Sequence, residues 1–218
     1  MYDYTQIKAR TIPEAHRRLV YRVWNFGDEL VGERGDLIRE ILDMNIRIDS
    51  DDISHCDGGL NEELDNDFAE ALIDPDKAEA KGKKFVYAYG ERIWTLDQLN
   101  KTINRLIEHP TSRRAVIPIF DKIDNCMTVN EVPCWIMGQF ILRDNKLHAE
   151  IFFRSNDVFG AFPADCYGIR KLQEYVVTRL NEHRKPGEPL ISIGFYSHTI
   201  TSAHIRMSDE NAVLKFLS

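Results

Sequence analysis

Residues 135–153, WIMGQFILRDNKLHAEIFF, decide the fold class of this 218-residue chain. Two apolar runs, at 135–142 and 147–153, flank the polar stretch RDNK at 143–146. Apolar runs joined by a short polar turn are typical of a β-hairpin. The chain is therefore expected to contain two adjacent antiparallel strands, and the other elements are interpreted around them.

Helical patterns lie on both sides of the hairpin. Residues 11–30 are predicted to be mostly helical, with Thr11 as the N-cap and Pro13 in the first turn. Thr95 is predicted to cap another helix. Apolar residues at helical spacing predict three further helices, at about 61–73, at 95–109 and at 164–183.

Additional strands are predicted at 85–89 (FVYAY) and at 115–120 (AVIPIF). Residues 190–205 (LISIGFYSHTITSAHI) are predicted to form one strand or a strand pair. A glycine-punctuated turn leads into an apolar segment at 32–48, whereas 74–84 (DPDKAEAKGKK) is predicted to be an exposed loop. Strands and helices are interspersed, which favours an α+β domain built on one sheet.

Composition narrows the function classes. Apolar residues make up 43% of the chain, enough for a substantial core, and the formal net charge is −7. An acidic chain is poorly suited to binding a nucleic-acid backbone, which needs clustered Lys and Arg, but it can bind a small anion locally. The N-terminus has no apolar targeting segment and no run approaches 18 apolar residues, so we expect one domain, 1–218, in the cytoplasm.

Four cysteines are present, and neither a CxxC pair nor zinc-ligand spacing occurs among them. We therefore expect reduced thiols and no metal. Most lone cysteines are small core residues. The four cysteines of this chain are Cys56, Cys126, Cys134 and Cys166.

Cys134 differs from the others in its surroundings. It follows Pro133 at the entry to the hairpin, with Ser-Arg-Arg upstream at 112–114 and Arg-Ser-Asn-Asp-Val-Phe downstream at 154–159. Positive neighbours favour a nucleophilic thiolate, and arginine also binds phosphate in a bidentate manner. Taken separately, Ser-Arg-Arg could be a solvated turn, and Arg154 and Asp157 could form a surface ion pair.

These motifs, in this order, resemble the thymidylate synthase superfamily. The resemblance covers roughly residues 85–206, and the short chain is more similar to archaeal-type synthases and to phage and antibiotic-pathway pyrimidine hydroxymethylases than to the longer bacterial enzymes. It implies a mixed, mostly antiparallel sheet flanked by helices. It also implies a homodimer with sheets packed back to back. The motifs are Tyr89-Gly90, Ser112-Arg113-Arg114, Pro133-Cys134, Arg154 to Phe159 and Ala203-His204-Ile205.

The resemblance implies a role for each matching residue. Cys134 is the nucleophile that adds to C6 of a pyrimidine nucleotide, after which C5 acquires a one-carbon unit from 5,10-methylenetetrahydrofolate or a related reduced pterin. Arg154 and Ser155 bind the phosphate, and Arg154 helps to keep Cys134 ionised. Arg113 and Arg114 reach across the dimer interface to the partner's phosphate.

Four further matches concern the phosphate, the folate, the sugar and proton transfer. Arg34 binds phosphate from a mobile loop, and Asp157 contacts the folate and orders water. His204 lies near the sugar hydroxyl, and Tyr89 belongs to a proton relay. The family also uses a glutamate that manages protons through water. Glu70 is the candidate and Glu63 is the runner-up, although either could be a solvated carboxylate in an acidic segment.

Three positions depart from the synthase pattern. Asp165 stands where synthases carry an asparagine that reads uracil. A carboxyl group can accept from the cytosine N4 amino group and, when protonated, complete the pair at N3. Asp165 could instead cap a helix that starts near Cys166. Trp135 replaces a histidine after the nucleophile, and Arg206 replaces the sugar-binding tyrosine, which leaves the sugar preference open.

The sequence thus predicts a cytidylate 5-hydroxymethyltransferase that acts on dCMP (or CMP), with water completing the reaction. The alternative is a thymidylate synthase that methylates dUMP with a final hydride transfer. A third possibility is a non-catalytic nucleotide- or RNA-binding homologue. The acidic charge and the retention of cysteine, arginines and histidine together argue against the third.

Overall fold

One seven-stranded sheet organises the protein, as seen in a computed structural model that describes residues 5–51, 53–55, 62–82, 88–122, 124 and 132–218. The spatial order is β1-β3-β7-β6-β5-β4, with β2 paired to β3. The strands are β1 (Gln6–Ala9), β2 (Asp28–Val31), β3 (Leu37–Ile48), β4 (Val116–Pro118), β5 (Trp135–Arg143), β6 (Lys146–Asp157) and β7 (Ser192–Arg206).

The strand pairing is mixed and mostly antiparallel, as expected. Only β1 with β3 and β6 with β7 run parallel among the described pairs. The predicted β5–β6 hairpin is confirmed, and it closes at the pair Arg143 and Lys146. Its two turn residues, Asp144 and Asn145, have φ values of 50° and 56°. Both angles are left-handed, as a type I′ turn requires, and Asp and Asn tolerate that conformation.

The described chain contains seven α-helices, which flank the sheet. The longest, α6, packs against β6 and β7, and α1 packs against β3 and β7. Their apolar faces meet the buried strand residues in one continuous core. The helices are α1 (Ile12–Phe26), α2 (Glu62–Ile73), α3 (Pro75–Gly82), α4 (Tyr89–Trp94), α5 (Gln98–Glu108), α6 (Phe162–Asn181) and α7 (Glu210–Leu217).

A buried guanidinium fastens α6 to the sheet. Arg170 is fully buried and donates to the side-chain oxygen of Gln173 at 2.8 Å and to the carbonyls of Gly194 and Ser50 at 3.2 and 2.5 Å. Ser50 follows β3, and Gly194 lies in β7. These hydrogen bonds compensate for the hydration that the guanidinium loses on burial. Arg170 thereby fixes α6 relative to two strands.

The other face of the sheet carries half-exposed side chains. Alternation along β5 and β6 places Gly138, Phe140 and Ile151 in the core and turns Met137 and Phe152 outward. Phe152 retains 37% of its side-chain exposure in the single chain. An outward face of this character is typical of a surface that packs against another chain.

Several boundaries differ from the sequence prediction. Thr11 caps α1 as expected, since its hydroxyl accepts from the Glu14 amide at 3.3 Å. The helix ends at Phe26, however, and residues 28–31 form β2 instead of a last helical turn. Residues 190–205 contribute one long strand, not a strand pair.

The prediction of an exposed loop at 74–84 is wrong for the described part, because α3 spans Pro75–Gly82. Asp74 caps this helix: its side-chain oxygen accepts from the amides of Asp76 and Lys77 at 2.9 and 3.3 Å. Pro75 occupies the first turn, where a missing N–H costs nothing. Capping and the burial of Ala78 outweigh the polar composition that suggested a loop.

Two further predictions fail next to α4. Residues 85–87 of the predicted strand lie outside the described residues, but Tyr89 opens α4 instead of ending a strand. Thr95 does not cap α5, because its hydroxyl donates to the Glu91 carbonyl at 2.8 Å. Leu96 and Asp97 have positive φ values of 55° and 59°, so the chain kinks before α5 begins at Gln98.

Gly90 fixes the approach of α4 to α2. A Cβ at this position would lie 1.8 Å from the carbonyl oxygen of Ala71, which is backbone and cannot rotate away. We expect Gly90→Ala to lower the free energy of unfolding by about 3 kcal/mol or more, measured by urea denaturation. Gly187→Ala is the control: its φ is +88° but nothing lies within 4 Å, so it should cost about 1–2 kcal/mol. Equal losses in the two variants would contradict this packing.

Candidate active site

Strand direction brings the predicted site residues to one end of the sheet. β6 and β7 are parallel, and the last pair in their register joins Asp157 at the end of β6 to His204, two residues before the end of β7. β5 runs in the opposite direction, so its first residue, Trp135, pairs with Phe153 near the end of β6. Cys134 precedes Trp135 and therefore lies at the same end.

Cys134 and Arg154 are in direct contact. The Arg154 Nη2 atom lies 3.7 Å from the Cys134 sulfur, and the Arg154 amide donates to the Cys134 carbonyl at 2.9 Å. The same guanidinium donates to the carbonyls of Pro133 and Val132 at 3.0 and 2.8 Å, which fixes its orientation. A guanidinium held beside a thiol favours the thiolate form.

Burial separates Cys134 from the other described cysteine. Cys134 is half-buried, whereas Cys166 is completely buried. Cys56 and Cys126 lie outside the described residues. Of the two described cysteines, Cys134 is the one that combines partial exposure with an adjacent guanidinium, which distinguishes it from the core residue Cys166.

Asp157 is paired with Arg206 and not with Arg154. One carboxylate oxygen lies 3.5 Å from the Arg206 guanidinium, and the other accepts from the Gly160 amide at 3.0 Å. The interpretation of Arg154 and Asp157 as an ion pair is therefore wrong. The Asp157 side chain is 12% exposed, whereas that of Arg206 is 53% exposed, so the arginine covers the carboxylate from the solvent side.

Ser155 and His204 are brought together across β6 and β7. The hydroxyl of Ser155 lies 3.4 Å from Nδ1 of His204, within weak hydrogen-bond distance. The His204 carbonyl accepts from the Val158 amide at 2.9 Å. A hydroxyl and an imidazole thus lie next to the Cys134–Arg154 pair and supply groups that can bind phosphate and sugar oxygens.

Tyr89 reaches the site from α4. Its hydroxyl accepts from the Trp135 amide at 3.4 Å, and its ring packs edge-on against Trp135. The indole of Trp135 is buried, and its N–H donates to the Met137 carbonyl at 2.9 Å. Because an indole has no other polar group, Trp135 acts as a core residue and does not replace the proton acceptor expected after the nucleophile.

Asp165 is buried at 8% exposure in the first turn of α6. Its carboxylate accepts from the side-chain amide of Asn156 at 2.7 Å. The helix begins at Phe162 with Ala161 as its N-cap, and no side chain caps it. The alternative role of Asp165 as a helix cap is therefore wrong.

Burial raises the pKa of the Asp165 carboxyl to about 7. The loss of hydration is the main cause, and the negative charge of Asp157 adds to it. The hydrogen bond from Asn156 acts in the opposite direction and lowers the pKa. Asp165 can consequently exchange a proton near neutral pH.

The remaining predicted phosphate ligands are exposed. Arg34 lies in the turn between β2 and β3, and β3 starts beside Arg206 at the site end of the sheet. Within the described ranges, the side chains of Arg113 and Arg114 make no hydrogen bond or ion pair. The Arg113 carbonyl accepts from Gln139, which lies on the outward face of the sheet, at 2.8 Å.

Glu70 lies outside the group of residues around Cys134. Its carboxylate is half-exposed and pairs with Lys77. The side chain of Glu63 lies outside the described residues. Among the side chains of α2 that the structure describes, the inward-facing carboxylate is Asp65, which is 1% exposed and lies 3.2 Å from Nδ1 of His55. Helical spacing from Phe68 and Leu72 could have identified Asp65.

An aromatic cluster supports the segment between Asp157 and α6. His16 on α1 is fully buried among the rings of Phe159, Phe162 and Phe216. Burial lowers the pKa of His16 to about 4, so the ring is neutral. Arg17 fastens α7 to α1 by donating to the carbonyls at 216 and 217 at 2.7 and 2.9 Å.

The described ranges contain neither a metal-binding cluster of side chains nor a membrane-spanning helix. No set of three or more His, Cys, Asp or Glu side chains in those ranges is arranged to hold a metal ion. None of the helices in the same ranges combines the length and apolar character needed to span a bilayer.

The raised pKa of Asp165 predicts a pH-dependent cost to stability. Between the unfolded value of about 3.9 and the folded value of about 7, the folded chain binds more protons, so its stability falls as pH rises through that range. Asp165→Asn can keep the bond to Asn156 and removes the charge. We expect its free energy of unfolding to exceed that of wild type at pH 8 by about 1–3 kcal/mol, and to match it near pH 4.

Urea denaturation at both pH values measures this difference, with exposed Asp28→Asn as the control. A difference between Asp165→Asn and wild type that is the same at pH 4 and pH 8 would contradict the raised pKa.

Comparison with known proteins identifies the family. The family model for thymidylate synthase matches residues 66–216. A Methanosarcina acetivorans protein named "Putative thymidylate synthase" is 36% identical over 214 residues, which cover 95% of this chain and 92% of that protein. Relatives with the same name from Methanosarcina barkeri (37% identical; 88% of this chain, 89% of the relative) and Methanothermobacter thermautotrophicus (29%; 91% and 92%) also match. The chain belongs to the thymidylate synthase family, whose enzymes transfer a one-carbon unit to C5 of a pyrimidine nucleotide.

Proposed function

We propose that this enzyme hydroxymethylates C5 of dCMP (or CMP), using 5,10-methylenetetrahydrofolate and water through a covalent adduct between Cys134 and C6. The observation that supports cytosine is the Asp165 carboxyl. It is buried, it is bound to Asn156 and it is not used as a helix cap. A carboxyl group in that position can accept from an exocyclic amino group, which cytosine has and uracil lacks.

Cys134 and Arg154 start the reaction. The thiolate, stabilised by the guanidinium at 3.7 Å, adds to C6 of the ring. Formation of the C6–S bond moves the electron pair of the C5=C6 double bond to C5, which becomes nucleophilic. Arg154 also lies where it can bind the nucleotide phosphate, together with Ser155, Arg34 and the arginines of a partner chain.

Asp165 and Asn156 orient the base. In the protonated form, the Asp165 carboxyl donates to N3 of cytosine and accepts from the N4 amino group. A pKa of about 7 makes this form available near neutral pH. A buried polar group left unpaired by the wrong base costs about 1–3 kcal/mol, enough for tenfold or greater discrimination.

The residues at the end of β6 fit a reduced pterin. Asp157 is a largely buried carboxylate, and it suits the N–H donors of the pterin ring. A Cβ at Gly160 would lie 3.2 Å from the Asp157 carboxylate, so the loop backbone packs closely against it and holds it in place. When bound, methylenetetrahydrofolate supplies the one-carbon unit; Asp157 orients the pterin and a water molecule.

The final steps use groups of this chain. After C5 has bonded to the one-carbon unit, loss of the C5 proton would expel the pterin as an amine and leave an exocyclic double bond at C5. Water would then add to the exocyclic carbon, and loss of the Cys134 thiolate from C6 would restore the C5=C6 double bond and yield the 5-hydroxymethyl nucleotide. Tyr89, whose hydroxyl lies at the Trp135 amide beside Cys134, and Asp157 are positioned to move the protons. Glu70 can join only if its pair with Lys77 opens, since that pair holds it at the surface.

His204 and Arg206 are proposed to contact the sugar. The pairing of Arg206 with Asp157 gives this arginine a second role, because it neutralises the carboxylate that serves the pterin. Methylation of dUMP is the second candidate function. The names of the archaeal relatives favour it, and a neutral carboxylic acid can also pair with O4 and N3–H of uracil.

Release of the C5 hydrogen distinguishes these functions. With methylenetetrahydrofolate, we expect tritium release from C5-labelled dCMP to be at least about tenfold faster than from C5-labelled dUMP, because Asp165 pairs with N4. Cys134→Ser should abolish release from both. Faster release from dUMP would support a synthase, and no release from either nucleotide would leave only the binding function.

The outward face of the sheet supports a homodimer with shared sites. Met137 and Phe152 leave apolar surface uncovered in the single chain. Gln139 on the same face holds the carbonyl of Arg113 at 2.8 Å, which places the Arg113-Arg114 segment at the edge of this face. We infer that back-to-back packing of two sheets carries these arginines to the partner's phosphate site.

Mixing two inactive variants tests the sharing of sites. Cys134→Ser supplies intact arginines, and the double variant Arg113→Ala/Arg114→Ala supplies an intact cysteine. If the arginines act across the interface, random dimers formed by co-refolding contain one complete site in each heterodimer and should recover about a quarter of wild-type activity. No recovery, with dimers present by size-exclusion chromatography, would place the arginines in their own chain's site.

A further inference from the structure

Asn156 is a buried amide with one unused polar atom. It lies near the end of β6, is 2% exposed and donates through Nδ2 to the Asp165 carboxylate at 2.7 Å. Its own Oδ1 atom is buried and has no hydrogen-bond partner among the described residues. A buried amide oxygen without a partner costs about 1–3 kcal/mol, so its retention beside Asp165 calls for a role.

The amide can serve both protonation states of its neighbour. An ionised carboxylate only accepts, and the Nδ2 amino group is its natural partner. A protonated carboxyl can donate, and Oδ1 becomes its partner once the amide rotates by 180° about its last bond. The two orientations have nearly the same shape, so this rotation needs no repacking of the buried surroundings.

We propose that Asn156 is a positioning residue that sets the hydrogen-bonding state of Asp165, and thereby determines how strongly the site selects cytosine over uracil. This inference rests on the proposed function, in which Asp165 reads the base. Asn156 need not touch the nucleotide. It uses one lone pair of one carboxylate oxygen and leaves the other oxygen and the remaining lone pair for the base.

The direction of the effect follows from charge. A neutral carboxyl at position 165 can donate or accept, so it can pair with either pyrimidine. An ionised carboxyl accepts from the cytosine N4 amino group and repels the uracil O4 oxygen. The bond that Nδ2 donates to the ionised carboxylate is charge-assisted, so it is stronger than the bond that Oδ1 would accept from the neutral carboxyl. Asn156 therefore favours the ionised form and strengthens the selection of cytosine.

The other ionisable groups around Asp165 do not replace this donor. The carboxylate of Asp157 opposes ionisation of Asp165. Burial keeps His16 and His198 neutral and raises the pKa of the Tyr196 hydroxyl. The buried face of α5 carries no charged side chain. The ionisable groups contributed by the packed elements are Asp157 on β6, Cys166 and Arg170 on α6, Tyr196 and His198 on β7, His16 on α1 and Asp65 on α2. The guanidinium of Arg170 donates to Gln173 and to two backbone carbonyls and not to Asp165.

The test is the ratio of dissociation constants for dUMP and dCMP, measured by calorimetry from pH 5.5 to 9. In wild type, we expect the ratio to rise with pH, with a midpoint near 7. Asn156→Ala removes the donor and should move the midpoint upward by about one pH unit, a change of about tenfold in the ionisation equilibrium. Asn156→Asp adds a charge and should move it further, whereas Asn156→Ser keeps a donating hydroxyl and should move it least.

Thr102→Val is the control, because Thr102 is a buried polar residue on α5 that takes no part in the site. The midpoint of this variant should equal that of wild type.

If wild type shows the pH-dependent ratio and the Ala and Asp variants share its midpoint, Asn156 has no such role. If wild type binds both nucleotides equally at every pH, the proposed reading of the base by Asp165 fails as well, and so does this inference. If the Ala variant does not fold, the Ser and Asp variants make the same comparison.

Discussion

The contact between the Arg154 guanidinium and the Cys134 sulfur is the interaction on which the site depends. It exists because β5 pairs antiparallel with β6, with a shift of register between Trp135 and Met137, so that Cys134 and Arg154 lie side by side at the end of the sheet. Two backbone carbonyls orient the guanidinium, so the cation is preorganised and not recruited by substrate. The same cation can serve a thiolate and a phosphate, which joins binding of the nucleotide to activation of the nucleophile.

Around Asp165, buried histidines are neutral at ordinary pH, and the buried charge of Arg170 is satisfied by its own hydrogen bonds. His16 and His198 are kept uncharged by burial, and Asp165 is poised to gain or lose a proton near pH 7. Electrostatic interactions are stronger in such poorly hydrated surroundings than in water. The charge of Asp165 therefore dominates how the base is read. Asn156 matters for this reason: it is the side chain that contacts that carboxyl directly.

Much of the site could be predicted from the sequence, because the pairing of two consecutive strands follows from the order of apolar and polar residues within them. The β5–β6 hairpin follows from the apolar runs on either side of 143–146, and the closeness of Cys134 and Arg154 follows from the basic motifs that flank the cysteine in the sequence. Features set by long-range contacts were not predictable. The pairing of Asp157 with Arg206 spans two strands, and the bond from Asn156 to Asp165 spans a strand, a loop and a helix. The segment that contains Glu70 has many acidic residues, so composition did not show which of them faces inward. In the helix, Asp65 faces the interior and Glu70 pairs with Lys77 at the surface. The sequence prediction missed the helix at 75–82 because its polar composition suggested a loop. The Asp74 side chain caps this helix and stabilises it in spite of that composition.

Covalent capture of the nucleotide tests the central claim most directly. A fluorine at C5 of dCMP cannot leave as a proton does, so the C6–S bond, once formed in the presence of methylenetetrahydrofolate, should persist. Mass spectrometry of the digested protein should then show the peptide that contains Cys134 heavier by the mass of the nucleotide with its bound cofactor, and Arg154→Met should greatly slow its formation. An unmodified Cys134, or a nucleotide attached to another cysteine, would contradict the account.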